Sequence, residues 1–123
     1  MRFPKLFETG RVGPMELRNR IAMPPVTTNF AREGFVTERM KNYYAARARG
    51  GVGMIIVEDA IVDSYLGRHT ANDLSIDEDK YIPGLARLAN CIKAHGTRAV
   101  ININHGGSRA GKIVNGRLEL TRG

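Results

Sequence analysis

Gly53-Met-Ile-Ile-Val-Glu-Asp59 is the stretch whose reading decides the fold. Met54 to Val57 is an unbroken apolar run, the pattern of a parallel strand covered on both faces. It closes on two carboxylates, where a strand gives way to a loop. Two other segments share this shape. Arg20-Ile-Ala-Met-Pro-Pro-Val-Thr-Thr28 lies before it, its strand Ile21–Met23 halted by prolines that supply no ladder donors. Ala99-Val-Ile-Asn-Ile-Asn-His-Gly-Gly107 lies after it, with a strand from Ala99 to Asn104.

Helical patterns fill the two gaps. Thr37 to Arg49 reads as a helix with Thr37 as N-cap and Glu38 in the first turn, where the dipole favours a carboxylate. Met40, Tyr44 and Ala48 recur at helical spacing as a core stripe, and Gly50-Gly51 ends the helix. Residues 60–80 read as a long polar connection, with Asp77-Glu-Asp79 leading into a second helix. There Ile82, Leu85, Leu88, Ala89 and Ile92 form the apolar stripe, Pro83 suits the first turn and His95-Gly96 the C-terminus. Before all this, residues 6–20 read as a hairpin around Gly13-Pro14. The order is hairpin, then β-α-β-α-β, an α/β chain of parallel units with right-handed crossovers. Three parallel strands and two helices leave apolar faces uncovered. The chain therefore reads as an N-terminal piece of something larger, or as one that buries those faces against a second copy. A small hairpin from Val114 to Leu120, around Asn115-Gly116, is expected near the end.

Composition narrows the function. The 123 residues carry a net charge of +7, distributed as +6 over residues 1–50, −5 over 51–81 and +6 over 82–123. Blocks of alternating sign describe solvated faces rather than a basic arm for nucleic acid. No apolar run approaches the ~20 residues of a membrane span. A single cysteine, Cys91, excludes an intrachain disulfide and a cysteine cluster for metal; it reads as a small core residue and fits a reducing cytoplasm.

Candidate site residues gather at the strand ends. Strand alternation puts Asn102 and Asn104 on one side, Ile101 and Ile103 on the other. An amide there offers donor and acceptor to a heterocycle edge, or joins an internal hydrogen-bond network. Pro25-Val26-Thr27-Thr28 sets flat apolar groups beside hydroxyls, a corner that packs on an aromatic ring or serves only as a turn. Asp59 is a ligand group, an N-cap or a salt-bridge partner. His105 binds substrate or holds a loop, and His69 and His95 read as surface or capping residues. Gly106 to Lys112 nearly fits a phosphate-binding loop, but Ile113 stands where a hydroxyl belongs and no helix pattern follows.

Taken together, the segments resemble the N-terminal part of the old yellow enzyme family, the FMN-dependent NAD(P)H:flavin oxidoreductases, in its 2,4-dienoyl-CoA reductase and 2-enoate reductase-like branch. The matching residues are Leu6-Phe-Glu8, Gly13-Pro-Met-Glu-Leu-Arg-Asn-Arg-Ile21, Met23-Pro-Pro25, Phe35-Val-Thr-Glu38 and Tyr43-Tyr-Ala-Ala-Arg-Ala-Arg-Gly-Gly-Val-Gly53. They continue through Ile55-Ile-Val-Glu58, Gly67-Arg68, Ile82-Pro-Gly-Leu85, Ala94-His-Gly96 and His105-Gly-Gly107. The resemblance implies that residues 1–123 are the N-terminal fragment of an FMN-binding (β/α)8 TIM barrel, incomplete at about half the ~250 residues of a closed one. It implies that Pro25, Val26 and Thr27 lie along the isoalloxazine, with Thr27 placed to tune it from near O4 or N5. Asp59 takes the second-strand position and Asn102 the amide position on the pyrimidine edge. Three positions depart from the family's pattern. Asn102 stands for the usual Gln, Asp59 for a small Gly or Ala, and Ser108 separates His-Gly-Gly from Arg109.

The resemblance further implies a parent protein that passes hydride from NAD(P)H through FMN to an activated alkene, an enone or enoate. The family's substrate-anchoring pair, proton-donating Tyr and phosphate loop fall outside these residues, so the 123-residue chain alone is expected to be inactive. Two other readings compete: a non-catalytic half-barrel that self-associates, and phosphate or nucleotide binding through Gly106–Lys112.

Overall fold

The computed structural model describes residues 2–114 and 117–120. A single 3-10 turn at Pro4–Phe7 leads into the hairpin of β1 (Gly10–Val12) and β2 (Met15–Leu17). Its two-residue turn works because Gly13 takes a φ of +55°, which suits glycine ahead of Pro14. Then come β3 (Ala22–Met23), α1 (Glu38–Arg49), β4 (Met54–Ile61), β5 (Leu74–Ser75), α2 (Ile82–Lys93) and β6 (Arg98–Asn104). The parallel sheet is built on β4. β6 pairs with it along its whole length, so β3 and β5 share the other edge, one at each end. A last antiparallel pair, β7 (Gly111–Val114) and β8 (Arg117–Leu120), follows.

Both helices lie on one face. Thr37 caps α1, its hydroxyl accepting from the Met40 N–H at 3.2 Å, and Met40, Tyr44 and Ala48 are fully buried against Ile55, Val57 and Ala60. From α2, Leu88 and Ile92 join the same core. Cys91 packs against its rim, and burial pushes the thiol pKa up.

Four expectations change. The second strand runs to Ile61 rather than ending at Asp59, and the connection after it contains β5. Ile82 faces away from the core, 57% exposed, because the chain bends into α2 through a 3-10 turn at Asp79–Tyr81. The final hairpin begins at Gly111, three residues before the expected Val114, and its anticipated turn at Asn115-Gly116 lies outside the described residues. Lys112 accordingly sits on a strand, in register with Glu119, and a strand rather than a helix follows the Gly106–Lys112 loop. That loop therefore lacks the helix N-terminus that gives a phosphate loop its dipole.

The ends of the sheet are fastened by two polar devices. At the N-terminal end, Arg18 donates to the carbonyls of Ala48 (3.0 Å), Val52 (3.1 Å) and His95 (2.6 Å) and to Thr97 Oγ1 (3.0 Å). One guanidinium thus binds the C-terminal ends of α1 and α2, where positive charge is favoured. At the other end, the buried Glu58 accepts from the Thr28 hydroxyl at 2.6 Å, the Thr28 N–H at 3.2 Å and the Tyr44 hydroxyl at 3.1 Å. The Tyr44 oxygen in turn accepts from the Glu58 N–H at 2.9 Å. Burial holds the Glu58 carboxyl above its ordinary pKa, only partly offset by these donors, and burial also raises the Tyr44 phenol.

Arg18→Met is expected to cost about 2 kcal/mol in urea unfolding, with Arg18→Lys recovering little, since an ammonium cannot span four acceptors. Glu58→Ala is expected to cost about 3 kcal/mol by the same measurement, by stranding the Tyr44 and Thr28 donors. Because burial makes the folded state hold the Glu58 proton more tightly than the unfolded chain, the proton-linked contribution of this carboxyl to stability is full below its unfolded pKa. It is lost as pH rises through the raised value. Unfolding of Glu58→Gln across a pH series should lack that decline.

Candidate functional site

β4 carries a bulge. Val57 pairs with Ile101 and Asp59 with Asn102, so Glu58 is the extra residue. Val57 faces the helices, so its partner Ile101 does too, and Asn102 and Asp59 point to the opposite face, the interior of the curving sheet. There the two side chains meet: Asn102 Nδ2 donates a hydrogen bond to Asp59 Oδ1. Asn102 Oδ1 makes no hydrogen bond among the described residues.

The second Asp59 oxygen lies 3.2 Å from His69 Nε2. His69 is thus no free surface group, as its sequence setting suggested; three quarters of its side chain is covered. Its backbone N–H and that of Thr70 both donate to Asp73 Oδ2 at 2.9 Å, and the Thr70 hydroxyl donates to Oδ1 at 2.6 Å. The fully buried Asp73 therefore shapes the turn that presents the imidazole to Asp59. The His69 Nδ1 is 3.3 Å from Asp73 Oδ2 but out of line for a hydrogen bond, and has no such partner among the described residues. Neither Asp73 nor the pairing of His69 was legible beforehand, because both depend on a turn that brings residues 69–73 back over the end of β4.

The first corner is held differently. Pro25 and Val26 are exposed, Val26 by 51%, and Thr27 is half-buried. No hydrogen bond among the described residues joins these three to Asp59 or Asn102. Their support comes from the next residues. Thr28 is anchored on Glu58, and Asn29, at a φ of +62°, accepts through Oδ1 from Asn72 N (3.1 Å) and Thr70 Oγ1 (3.2 Å). In the sequence Glu58 figures only as the end of the matching stretch Ile55-Ile-Val-Glu58, without a role. Further along, Gly34 has a φ of +84°, and a Cβ there would stand 2.4 Å from Ser75 Oγ. The loop after β3 can lie over β5 only because residue 34 has no side chain.

His105 follows β6. Its Nδ1 accepts from the Gly107 N–H at 3.0 Å, and its ring lies against Gly67, where a Cβ would be 2.9 Å from Cδ2. Of the two roles open to it, the structure displays the loop contact. His95 contributes its backbone carbonyl to Arg18, at the opposite end of the sheet.

This arrangement has known relatives. The model of the NADH:flavin oxidoreductase / NADH oxidase family matches residues 5–119. The chain is 47% identical over 106 residues to an NADH oxidase of Thermoanaerobacter brockii, covering 85% of this chain and 16% of that protein. It is 46% identical over 112 residues to an NADH:acrylate oxidoreductase of Vibrio harveyi, covering 90% of this chain and 11% of that one. Among solved structures, the old yellow enzyme from Trypanosoma cruzi superposes with a TM-score of 0.78 at 26% identity, over 90% of this chain and 29% of that one. The chain thus spans a small N-terminal share of its relatives, and its parallel sheet corresponds to part of their barrel, not closed here. By fold and by sequence, the chain belongs to the NADH:flavin oxidoreductase / NADH oxidase family, the family of the old yellow enzymes.

Proposed function

We propose that these residues form one wall of an FMN site in a protein that reduces the carbon–carbon double bond of an enone or enoate at the expense of NAD(P)H. The observation that carries this reading is the pairing of Asp59 with Asn102 on the interior face, which leaves the amide oxygen unengaged beside the exposed apolar corner Pro25-Val26. The donor set suits a flat heterocycle with a polar rim. Asn102 would hold the pyrimidine edge, Pro25 and Val26 would cover the ring, and the half-buried Thr27 would sit near its redox-active centre. Bound FMN would supply the two-electron carrier between nicotinamide and substrate. The net reaction adds hydride and a proton across the double bond and oxidises NAD(P)H to NAD(P)+. The acrylate named for the Vibrio harveyi relative is an alkene conjugated to a carboxylate, of the substrate class proposed.

In this role Asp59 brings a carboxylate close to a group that becomes negative on reduction. Its hydrogen bond from Asn102 tempers that charge, and His69 Nε2 lies 3.2 Å from its other oxygen. The buried Glu58 and Tyr44 hold the loop that carries Thr27, and do no chemistry themselves.

The test is purification of the intact protein with its visible absorbance and mass. FMN is expected to co-purify, NAD(P)H oxidation should depend on an added enone or acrylate, and Asn102→Leu should weaken FMN binding about tenfold, one charge-neutral hydrogen bond's worth. Protein that takes up no flavin overturns the proposal. So does alkene reduction by residues 1–123 alone, which lack the expected proton donor.

A second reading rests on a separate observation. Ile101 and Ile103 are 36% and 66% exposed on the helix-facing side of β6, an apolar strip that a second copy could cover. Sedimentation of the 123-residue chain decides it: a concentration-dependent dimer supports association, and a monomer at high concentration excludes it.

A further inference from the structure

We propose that Asp59 is a positioning residue that fixes the amide of Asn102 in one orientation, so that the amide oxygen is turned to the ligand and accepts a hydrogen bond from it. The inference rests on the interior face being the ligand side, as in the function proposed above.

The chemistry of the pair forces the orientation. An amide has two faces of opposite character, an acceptor oxygen and a donor NH2, and a free Asn presents either by a half-turn about its last bond. A carboxylate is acceptor-only when ionised. Asp59 Oδ1 lies against the Asn102 side chain, so the NH2 must face Asp59, as found, and the oxygen must face away. Reversal would set two oxygens against each other in a half-buried position, an arrangement that costs more than an ordinary lost hydrogen bond.

Asp59 cannot turn away to relieve the constraint. The bulge at Glu58 points it inward, strand pairing places it opposite Asn102, and its other oxygen lies 3.2 Å from Nε2 of the neighbouring His69. His69 is itself held through its own backbone by the buried Asp73. The lock is therefore anchored in the fold, and it leaves Asn102 Oδ1 facing away from Asp59 with no hydrogen bond among the described residues. A ligand N–H, such as the imide N–H of a pyrimidine-type ring, is matched there. A ligand carbonyl or a ring nitrogen without hydrogen is not.

Two measurements test the lock. The first needs no ligand. In NMR spectra of the chain, one Asn102 Nδ2 proton should be shifted downfield and exchange slowly, and Asp59→Ala should return it to the position of a free amide. A wild-type signal already at that position overturns the proposal, as does an unchanged signal in Asp59→Ala. The second uses FMN and N3-methyl-FMN, which lacks the imide hydrogen, as probes of the intact protein. Wild type should prefer FMN by about tenfold, and Asp59→Ala should lower the ratio to within about threefold, since the freed amide can turn. Should the alanine variant not fold, the wild-type ratio decides, and parity overturns the proposal. A locked amide signal in a protein that binds neither probe would sink the flavin reading and leave the lock standing.

Discussion

One extra residue in β4 governs the arrangement at the C-terminal end of the sheet. Alternation from Met54 would send Glu58 inward and Asp59 toward the helices. The bulge reverses them. Glu58 turns to α1, where Tyr44 and Thr28 supply the donors that a buried carboxylate requires. Asp59 turns inward to face Asn102. The same displacement thus creates a support beneath the first corner and a polar pair at the second. Two adjacent acids of similar chemistry become one group buried toward the helices and one on the interior face, separated by the side on which each emerges.

The opposite end obeys a simpler constraint. Helices that pack side by side on one face of a parallel sheet bring their carbonyl ends together, where a cation is favoured. Arg18, delivered by the hairpin strand β2, supplies it and so ties the most local element of the chain to contacts 77 and 79 residues away. Together Arg18 and Glu58 hold the helices to the sheet at both ends, while the apolar core of Met40, Tyr44, Ile55, Val57 and Leu88 fills the space between.

What could be read in the sequence divides along a physical line. Elements set by neighbours in the chain were legible: the Thr37 cap, the Met40–Tyr44–Ala48 stripe, the Gly13-Pro14 turn and the order of strands and helices. The placement of Asn102 and Asn104 together on one side followed from simple alternation. Features set by long-range pairing were not legible. A bulge leaves no mark in a run such as Ile-Ile-Val-Glu-Asp-Ala-Ile, because every residue there suits a strand. β5 is two residues long and forms only where β4 offers it an edge. His69 looks like any histidine in a polar loop until Asp73 folds the turn beneath it. Ile82 matched the helical stripe, yet the 3-10 turn rotates it off the core.

The reach of the Arg18 contacts also sets an order of events for a chain leaving the ribosome. None of the four acceptors lies beyond Thr97, so the N-terminal clamp can close without any contribution from β7. The strip carrying Ile101 and Ile103 is then displayed by a unit already secured at its base. Such a surface gives the next segment of a growing chain something formed to dock upon. It also leaves an interval in which a neighbouring nascent chain can dock instead.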